Sequence, residues 1–212
     1  TINSGGTINL QGALGGTSAL VNLSLDTLDA GNVNLPAVDA SGAVQITNVN
    51  TLTFGGAIGG TTVPTSITAG AANVNTGIAI NANLKASGNI TLGTTAGDID
   101  VTGARTVEST GAAVDMGTVA GTIDLQAVGS GTFTAKAGTG VTLATVNDAA
   151  NLNSLSVDAG NSGAGNVVTG NNTCDFTTTL EAGDTVVVGG NLEIIVSSVS
   201  AAQTFIATAN VN

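Results

Sequence analysis

Short apolar–polar–apolar triplets recur along the second half of the chain: Ile90-Thr91-Leu92, Ile99-Asp100-Val101, Val114-Asp115-Met116, Ile123-Asp124-Leu125, Phe133-Thr134-Ala135, Val141-Thr142-Leu143 and Leu155-Ser156-Val157. In an extended chain the outer two residues of each triplet share one face and the middle one points away. Most triplets are separated by Gly, Asn or Ala-Gly. A step of roughly 8–10 residues leaves room for a short strand and a turn and falls below the usual length of a helix. No 3.6-residue apolar period is evident, so the pattern predicts strands throughout.

A longer period contains this rhythm. The segment from Thr7 to Thr17 returns from Thr51 to Thr61, 44 residues later, and Gly12-Ala13-Leu14-Gly15-Gly16-Thr17 differs from Gly56-Ala57-Ile58-Gly59-Gly60-Thr61 at one position. Ala40-Ser41-Gly42-Ala43-Val44 returns as Ala86-Ser87-Gly88-Asn89-Ile90 after 46 residues. Strands this short, with few long hydrophobic side chains, do not make an independent sheet. Coiling solves that problem, because each strand then stacks at ~4.8 Å on its equivalent from the previous turn, with small aliphatic side chains inside. The expected fold is therefore all-β, a parallel β-solenoid over residues 1–160. An antiparallel β-sandwich also places turns every 8–12 residues or so and is the competing expectation.

One alignment tests the coil. Gly97-Asp98-Ile99-Asp100-Val101 and Gly121-Thr122-Ile123-Asp124-Leu125 lie 24 residues apart. A turn of that length stacks Ile99 on Ile123 and Asp100 on Asp124. The same step carries Ile123 to Asn147, so the period must change beyond residue 125.

Near residue 160 the texture shifts. Asp158-Ala159-Gly160-Asn161-Ser162-Gly163-Ala164-Gly165-Asn166 reads as a linker. Beyond it, Val186-Val187-Val188 and Leu192-Glu193-Ile194-Ile195-Val196 flank Gly189-Gly190-Asn191, a hairpin signal. Glu181-Ala182-Gly183-Asp184 reads as a turn, and Thr204-Phe205-Ile206-Ala207 as another strand. Residues 161–212 are expected to form a small antiparallel β-module.

Composition narrows the function. Of 212 residues, 42% are hydrophobic, only 8% are charged and 2% are aromatic, and there are 31 Gly but 2 Pro. The apolar content argues against disorder, and the Gly without period or Pro argues against collagen. A chain of small and β-branched residues with Gly and Asn at corners fits a narrow solenoid interior. The net charge is −11, with Lys85, Arg105 and Lys136 as the only cations. Three cations far apart in sequence do not neutralise a row of phosphates, and an acidic chain is repelled by anionic lipid. Nucleic acid is not an expected partner. No apolar run reaches the ~20 residues of a spanning helix, so membrane insertion is not expected either. The chain lacks an initiator Met and a signal-peptide pattern at Thr1, which reads as a processed or excised piece of something longer.

Phe54-Gly55-Gly56-Ala57-Ile58-Gly59-Gly60-Thr61-Thr62 and the pattern Gly88-Asn89-Ile90-Thr91-Leu92 with Ala96-Gly97-Asp98-Ile99 resemble repeats of filamentous-haemagglutinin-like bacterial surface proteins. The resemblance covers roughly residues 1–160. It implies a right-handed β-helix that is secreted and serves in adhesion or surface coating. The stretch from Val168 through Phe176 and Leu180 to Gly190 is similar to small β-modules of phage tail fibres and surface proteins, in which a Gly-Asp turn precedes a Val/Ile strand.

Candidate chemistry is sparse. The chain has no His and no Tyr, which removes the commonest general acid/base groups. Asp98 and Asp100 lie roughly 7 Å apart along a strand, a spacing a glycosidase pair uses, but aromatic sugar platforms are nearly absent. Arg105 pairs with no particular Asp, which weakens a lyase reading. Asp98, Asp100 and Asp124 would gather oxygens for calcium (Ca2+) if the 24-residue coil holds, whereas carboxylates separated by solvent are the plainer reading. Thr51/Thr53 and Thr132/Thr134 resemble an ice-binding pattern but do not recur at one period. Asn22, Asn89 and Asn171 begin glycosylation sequons. Cys174 is alone, so it forms no internal disulfide and reads as a small semi-buried residue. No catalytic, cofactor or metal residue is assigned. The expected role is that of a non-enzymatic extracellular structural or adhesive element at a cell surface. Its expected partners are copies of itself, further repeats of a longer chain, or surface glycans. A receptor- or polysaccharide-binding segment of a phage tail fibre is the alternative.

Overall fold

In the computed structural model, residues 1–28, 31–126, 131–147, 153–159, 166–171, 175–180, 185–189 and 194–199 are described, and every regular element among them is a β-strand. The strands form three parallel sheets of nine, seven and six strands. The first sheet runs through Ile2–Asn3, Leu23–Asp26, Ala43–Thr47, Ser66–Ala69, Ile90–Leu92, Ala113–Met116, Gly140–Leu143, Asn166–Asn171 and Thr185–Gly189. The second runs through Ile8–Asn9, Val33–Leu35, Val49–Phe54, Val74–Ile80, Ile99–Thr102, Ile123–Gln126 and Val146–Asn147. The third runs through Leu84–Ala86, Arg105–Ser109, Gly131–Ala137, Asn153–Ala159, Asp175–Leu180 and Ile194–Val199. The chain passes from sheet to sheet, and each strand pairs with its equivalent one coil later. This is the expected β-solenoid. A sandwich requires antiparallel pairing, and the ladders described are parallel.

The triplets behave as the pattern predicts. In Ile90–Leu92, Ile99–Val101, Val114–Met116, Ile123–Leu125, Phe133–Ala135, Val141–Leu143 and Leu155–Val157 the outer residues are buried and the middle residue is not. Stacking turns these positions into interior columns. Val33, Leu52, Ile78, Ile99, Ile123 and Val146 follow one another in the second sheet. Val44, Ile67, Ile90, Val114, Val141 and Val167 do so in the first. All twelve are buried, and Phe54 and Phe133 are the bulkiest of the fully buried side chains. Few wider residues fit between three sheets this close, which accounts for the scarcity of aromatic residues.

The predicted register holds where it was drawn. Ile99 pairs with Ile123 and Asp100 with Asp124. The step then shortens as required, since Ile123 pairs with Val146 and not with Asn147. Coil length varies elsewhere too, from 18 residues between Phe176 and Ile194 to 28 between Val107 and Ala135. The 44-residue repeat is therefore two coils: Ile8 leads through Val33 to Leu52, and Leu14 through Val38 to Ile58. Its glycines have a structural cause. Gly15 and Gly59 both take positive φ (79° and 76°), and a Cβ on either would run into backbone of the following coil, at the carbonyls of Asp39 and Lys85.

Asn has a different role from the one expected. Among the described Asn only Asn48 takes positive φ. Others clamp successive coils from the position just before a strand. Asn22 Oδ1 accepts from Ala43 N–H (2.8 Å), Asn83 Oδ1 from Thr106 N–H (3.0 Å), Asn89 Oδ1 from Ala113 N–H (3.2 Å) and Asp98 Oδ1 from Thr122 N–H (2.8 Å). In each case the next residue starts the buried column, so the side chain takes the acceptor place that a ladder carbonyl would fill one step further along.

The antiparallel module expected over 161–212 is not what the described strands form. Thr185–Gly189 pairs in parallel with Asn166–Asn171 in the first sheet, and Ile194–Val199 pairs in parallel with Asp175–Leu180 in the third. The two arms of the expected hairpin stand in different sheets. A Gly-Gly-Asn turn between apolar runs marks a change of direction, but it does not say whether the next strand pairs with the last one or with the coil before. Asp158 and Ala159, read as the start of a linker, close the strand Asn153–Ala159. Cys174, the turn 181–184, residues 190–193 and the expected strand Thr204–Ala207 lie outside the described residues.

Candidate functional site

The outward residues of the solenoid form rows one coil apart, and two rows stack charge on charge in successive coils. On the second sheet the row runs Asn34, Thr53, Ala79, Asp100, Asp124 and Asn147. Like charges in adjacent ladder positions repel. Here each carboxylate is held by a neutral donor. Gln126 Nε2 donates to Asp100 Oδ1 at 2.7 Å, while Thr122 Oγ1 (2.6 Å) and Asn147 Nδ2 (3.1 Å) donate to Asp124 Oδ1. Asp98 is turned to the Thr122 amide, as described above. Burial holds the Asp100 carboxyl above its ordinary range; the Gln126 amide pulls it down, and the charges of Asp124 and Asp98 push it up. Weighed as a calcium set, the three carboxylates are each turned to neutral donors. Among the described residues no group of three or more His, Cys, Asp or Glu is placed to hold a metal.

On the third sheet the row reads Lys85, Glu108, Lys136, Asp158. Charge alternates at every coil. Lys85 Nζ lies 3.2 Å from Glu108 Oε2, and Lys136 Nζ lies 4.0 Å from Asp158 Oδ2. The lysines are the more exposed members, with side chains 41% and 42% accessible against 26% for Glu108 and 19% for Asp158. Arg105 starts a strand of the same sheet, beside Phe133. Its Nη1 donates to the Ala104 carbonyl at 2.9 Å, and its Nε is buried without a hydrogen-bond partner. All three cations of the sequence thus stand in the third sheet. Sequence reading treated them as scattered. The signal was present in Leu84-Lys85-Ala86, Val107-Glu108-Ser109, Ala135-Lys136-Ala137 and Val157-Asp158-Ala159, four apolar–charged–apolar or small triplets on successive coils, but uneven coil lengths hid their alignment.

Set beside known proteins, the chain has no match: no family model, curated protein or solved structure aligns with it.

Two open grooves mark the corners. One, about 330 Å³, lies where the third sheet starts and is lined by Ile58, Gly59, Gly60, Asn83, Lys85 and Glu108, among others. Before Leu84 this side of the solenoid is held by isolated bridges, Leu14 to Val38 to Ile58 to Leu84 and Leu20 to Ala40. The other, about 510 Å³, runs past Ala71, Thr94, Thr95 and Val119. Neither groove contains Asp98, Asp100 or Asp124, so the acid pair weighed as a glycosidase constellation borders neither. Thr53 is followed in the next coil by Ala79, whereas Thr51, paired with Gly77 beside a register shift, meets the Thr76 hydroxyl at 3.0 Å. Thr132 is followed by Ser154 for one coil, and Thr134 by Ser156 and then Thr177. The sequon residues Asn22 and Asn89 are exposed coil clamps, and Asn171 closes a strand of the first sheet.

Proposed function

We propose that the chain is a length of shaft in an extracellular structural or adhesive protein, and that it works by its extended shape and its surface. The observation that carries this reading is where the polar side chains go. Asn22, Asn83, Asn89 and Asp98 each bind the next coil's backbone, Asp39 does the same for Thr61 and Thr62 N–H (2.7 and 3.0 Å), and Gln126 and Asn147 hold the acid row. Polar chemistry is spent along the axis, coil to coil. Such a stack is extended by adding coils, and a coil end that is left open pairs with further repeats or with another copy. The likeness of Phe54–Thr62 and Gly88–Leu92 to haemagglutinin-like repeats supports the same reading, with right-handed coils, secretion and a place at a bacterial surface. With no His or Tyr in the sequence, we read the chain as non-enzymatic.

Electron microscopy of the native material tests the proposal. Long regular filaments or a sheath with a ~4.8 Å axial repeat are the expected result. Discrete trimeric spikes would move the reading to a tail-fibre-like receptor-binding segment. Cleavage of a glycan by the purified chain would overturn it.

A further inference from the structure

The third sheet differs in charge from the rest of the solenoid. Its outward row carries Lys85 and Lys136 against Glu108 and Asp158, so the row is balanced in a chain whose net charge is −11. The first and second sheets carry outward acids, Asp26 and Asp115 on one, Asp100 and Asp124 on the other, and no Lys or Arg. Two copies brought together through either of those sheets repel. The third is the side on which they do not.

The order of its charges sets a direction. Read along the axis, the row is plus, minus, plus, minus. Laid face to face with a copy of itself running the same way at the same height, Lys85 meets Lys85 and Glu108 meets Glu108. Turned about a two-fold axis that lies along the strands, midway between Glu108 and Lys136, the row meets its own reverse. Lys85 then faces the second copy's Asp158, and Glu108 faces its Lys136. Every opposition is attractive. The exposed lysine ends project from the sheet, while Thr106, Thr134 and Ser156 form a neighbouring row of hydroxyls in register with no bulky side chain among them. Packed sheets lie about 10 Å apart, a distance that two Lys–carboxylate pairs span.

We propose that the third sheet is a self-complementary docking surface for a second copy of this chain, bound side by side and antiparallel. This needs only the charge row and holds whether or not the shaft reading does. The two-fold sets four strands against four, and at ~4.8 Å and about five residues per strand they give roughly 300 Å² per partner, below the range of stable specific interfaces. The pair is therefore a weak one, forming at high concentration in solution and reinforced wherever many coils or many chains lie together. At ~0.15 M salt the Debye length is about 8 Å, so the acids on the far sheets are screened while the facing pairs are not.

Two measurements test it on the full chain at that salt. The first is sedimentation velocity across concentration, joined to zero-length carbodiimide cross-linking of a mixture of ¹⁴N- and ¹⁵N-labelled chains. A concentration-dependent dimer and an inter-chain Lys85–Asp158 cross-link are expected. That link is diagnostic, because within one chain the two residues are three coils apart, about 14 Å, out of reach of a zero-length reagent. The second uses charge swaps. Lys136→Glu sets like charges opposite each other and is expected to weaken the dimer at least about tenfold. The double swap Glu108→Lys with Lys136→Glu restores every cross-copy opposition, though it ruins alternation within the chain, and is expected to bring dimerisation back. A monomer at every concentration, a dimer lacking the Lys85–Asp158 link, cross-links from Lys85 or Lys136 to Asp100 or Asp124, or a folded double swap that stays monomeric would each overturn the proposal. If the double swap fails to fold, the cross-link on the unaltered chain decides.

Discussion

The second and third sheets solve one problem in two ways. Both stack a charged residue on its equivalent one coil away, over an interior of the same kind. On the third, opposite charges alternate and the row compensates itself. On the second, Asp100 and Asp124 have the same sign, and Gln126, Thr122 and Asn147 bring neutral dipoles to them. A solenoid magnifies such choices, because each position has a neighbour above and below and a local error is repeated along the ladder. The comparison teaches that like charges in a ladder do not by themselves signal a metal. The donors around them have to be counted first.

The most drastic way to break the comparison is to remove the interior that both sheets share. Phe133 is buried beneath the third sheet and Ile123 beneath the second. Phe133→Ala is expected to cost about 3–5 kcal/mol and Ile123→Ala about 2–5 kcal/mol. Urea titration followed by hydrogen exchange should show loosening centred on the altered coil and its two neighbours. Equal loss of protection along all three sheets would mean that the stack unfolds as one unit and that sheet-by-sheet comparison has no meaning.

Charge reversal sharpens it next. Glu108→Lys places three cations in a row with Lys85 and Lys136, and about 1–2 kcal/mol of destabilisation is expected from the lost Lys85 pair and two new repulsions. Asp124→Lys should be close to neutral, since it trades a like-charge neighbour of Asp100 for an opposite one while losing the Thr122 and Asn147 hydrogen bonds. Melting curves of the two variants at pH 7 read the difference. Similar losses in both would show that the ladder charges on the two sheets do not differ in kind.

The sequence made the coil legible and left its cross-section dark. Ile99 over Ile123 and Asp100 over Asp124 followed from a 24-residue offset between two near-identical segments, and the buried triplets followed from period-two alternation. The charge row did not, because Lys85, Glu108, Lys136 and Asp158 are separated by coils of 23, 28 and 22 residues. A fixed period finds one neighbour and loses the next. The Asn clamps were hidden for another reason: the pattern Asn-apolar-polar-apolar in Asn22–Leu25, Asn83–Ala86 and Asn89–Leu92 was in view, but a side chain's partner one coil away is a three-dimensional fact. The end of the chain was misread because strand direction is carried by connection length, and a short Gly-rich turn allows either pairing.

A third test separates the neutral donors from the carboxylates they serve. Gln126→Ala removes the amide that favours the charged form of Asp100 and is expected to cost about 1–2 kcal/mol at pH 7. Below pH 4 or so Asp100 is protonated and the loss should largely vanish. Lys136→Ala on the third sheet removes no donor to Asp100 and should show no loss that follows the protonation of Asp100. Equal pH profiles for the two variants would remove the distinction between amide-held and charge-held rows.

The smallest effect is the most informative about Asp100 itself. Its carboxyl is held above the ordinary range, chiefly by burial, with Asp124 and Asp98 adding to the shift against Gln126. A carboxyl whose folded-state pKa exceeds its unfolded value favours folding when protonated. That contribution is complete below the unfolded pKa, near 3.8, and is lost as pH rises through the folded one. Asp100→Asn keeps an acceptor for Gln126 and never ionises. It should therefore raise stability by under about 1 kcal/mol at pH 7, and the gain should shrink toward zero as the pH falls below 4. Asp39 provides the opposite sign, because the Thr61 and Thr62 amides lower its pKa. Asp39→Asn should be harmful at pH 7 and harmless in acid. Thermal melts of the two variants across pH 3 to 7 should diverge with rising pH, one upward and one downward. If both curves bend the same way, the acid row is governed by the net charge of the chain, and the donors around Asp100 do not set its behaviour.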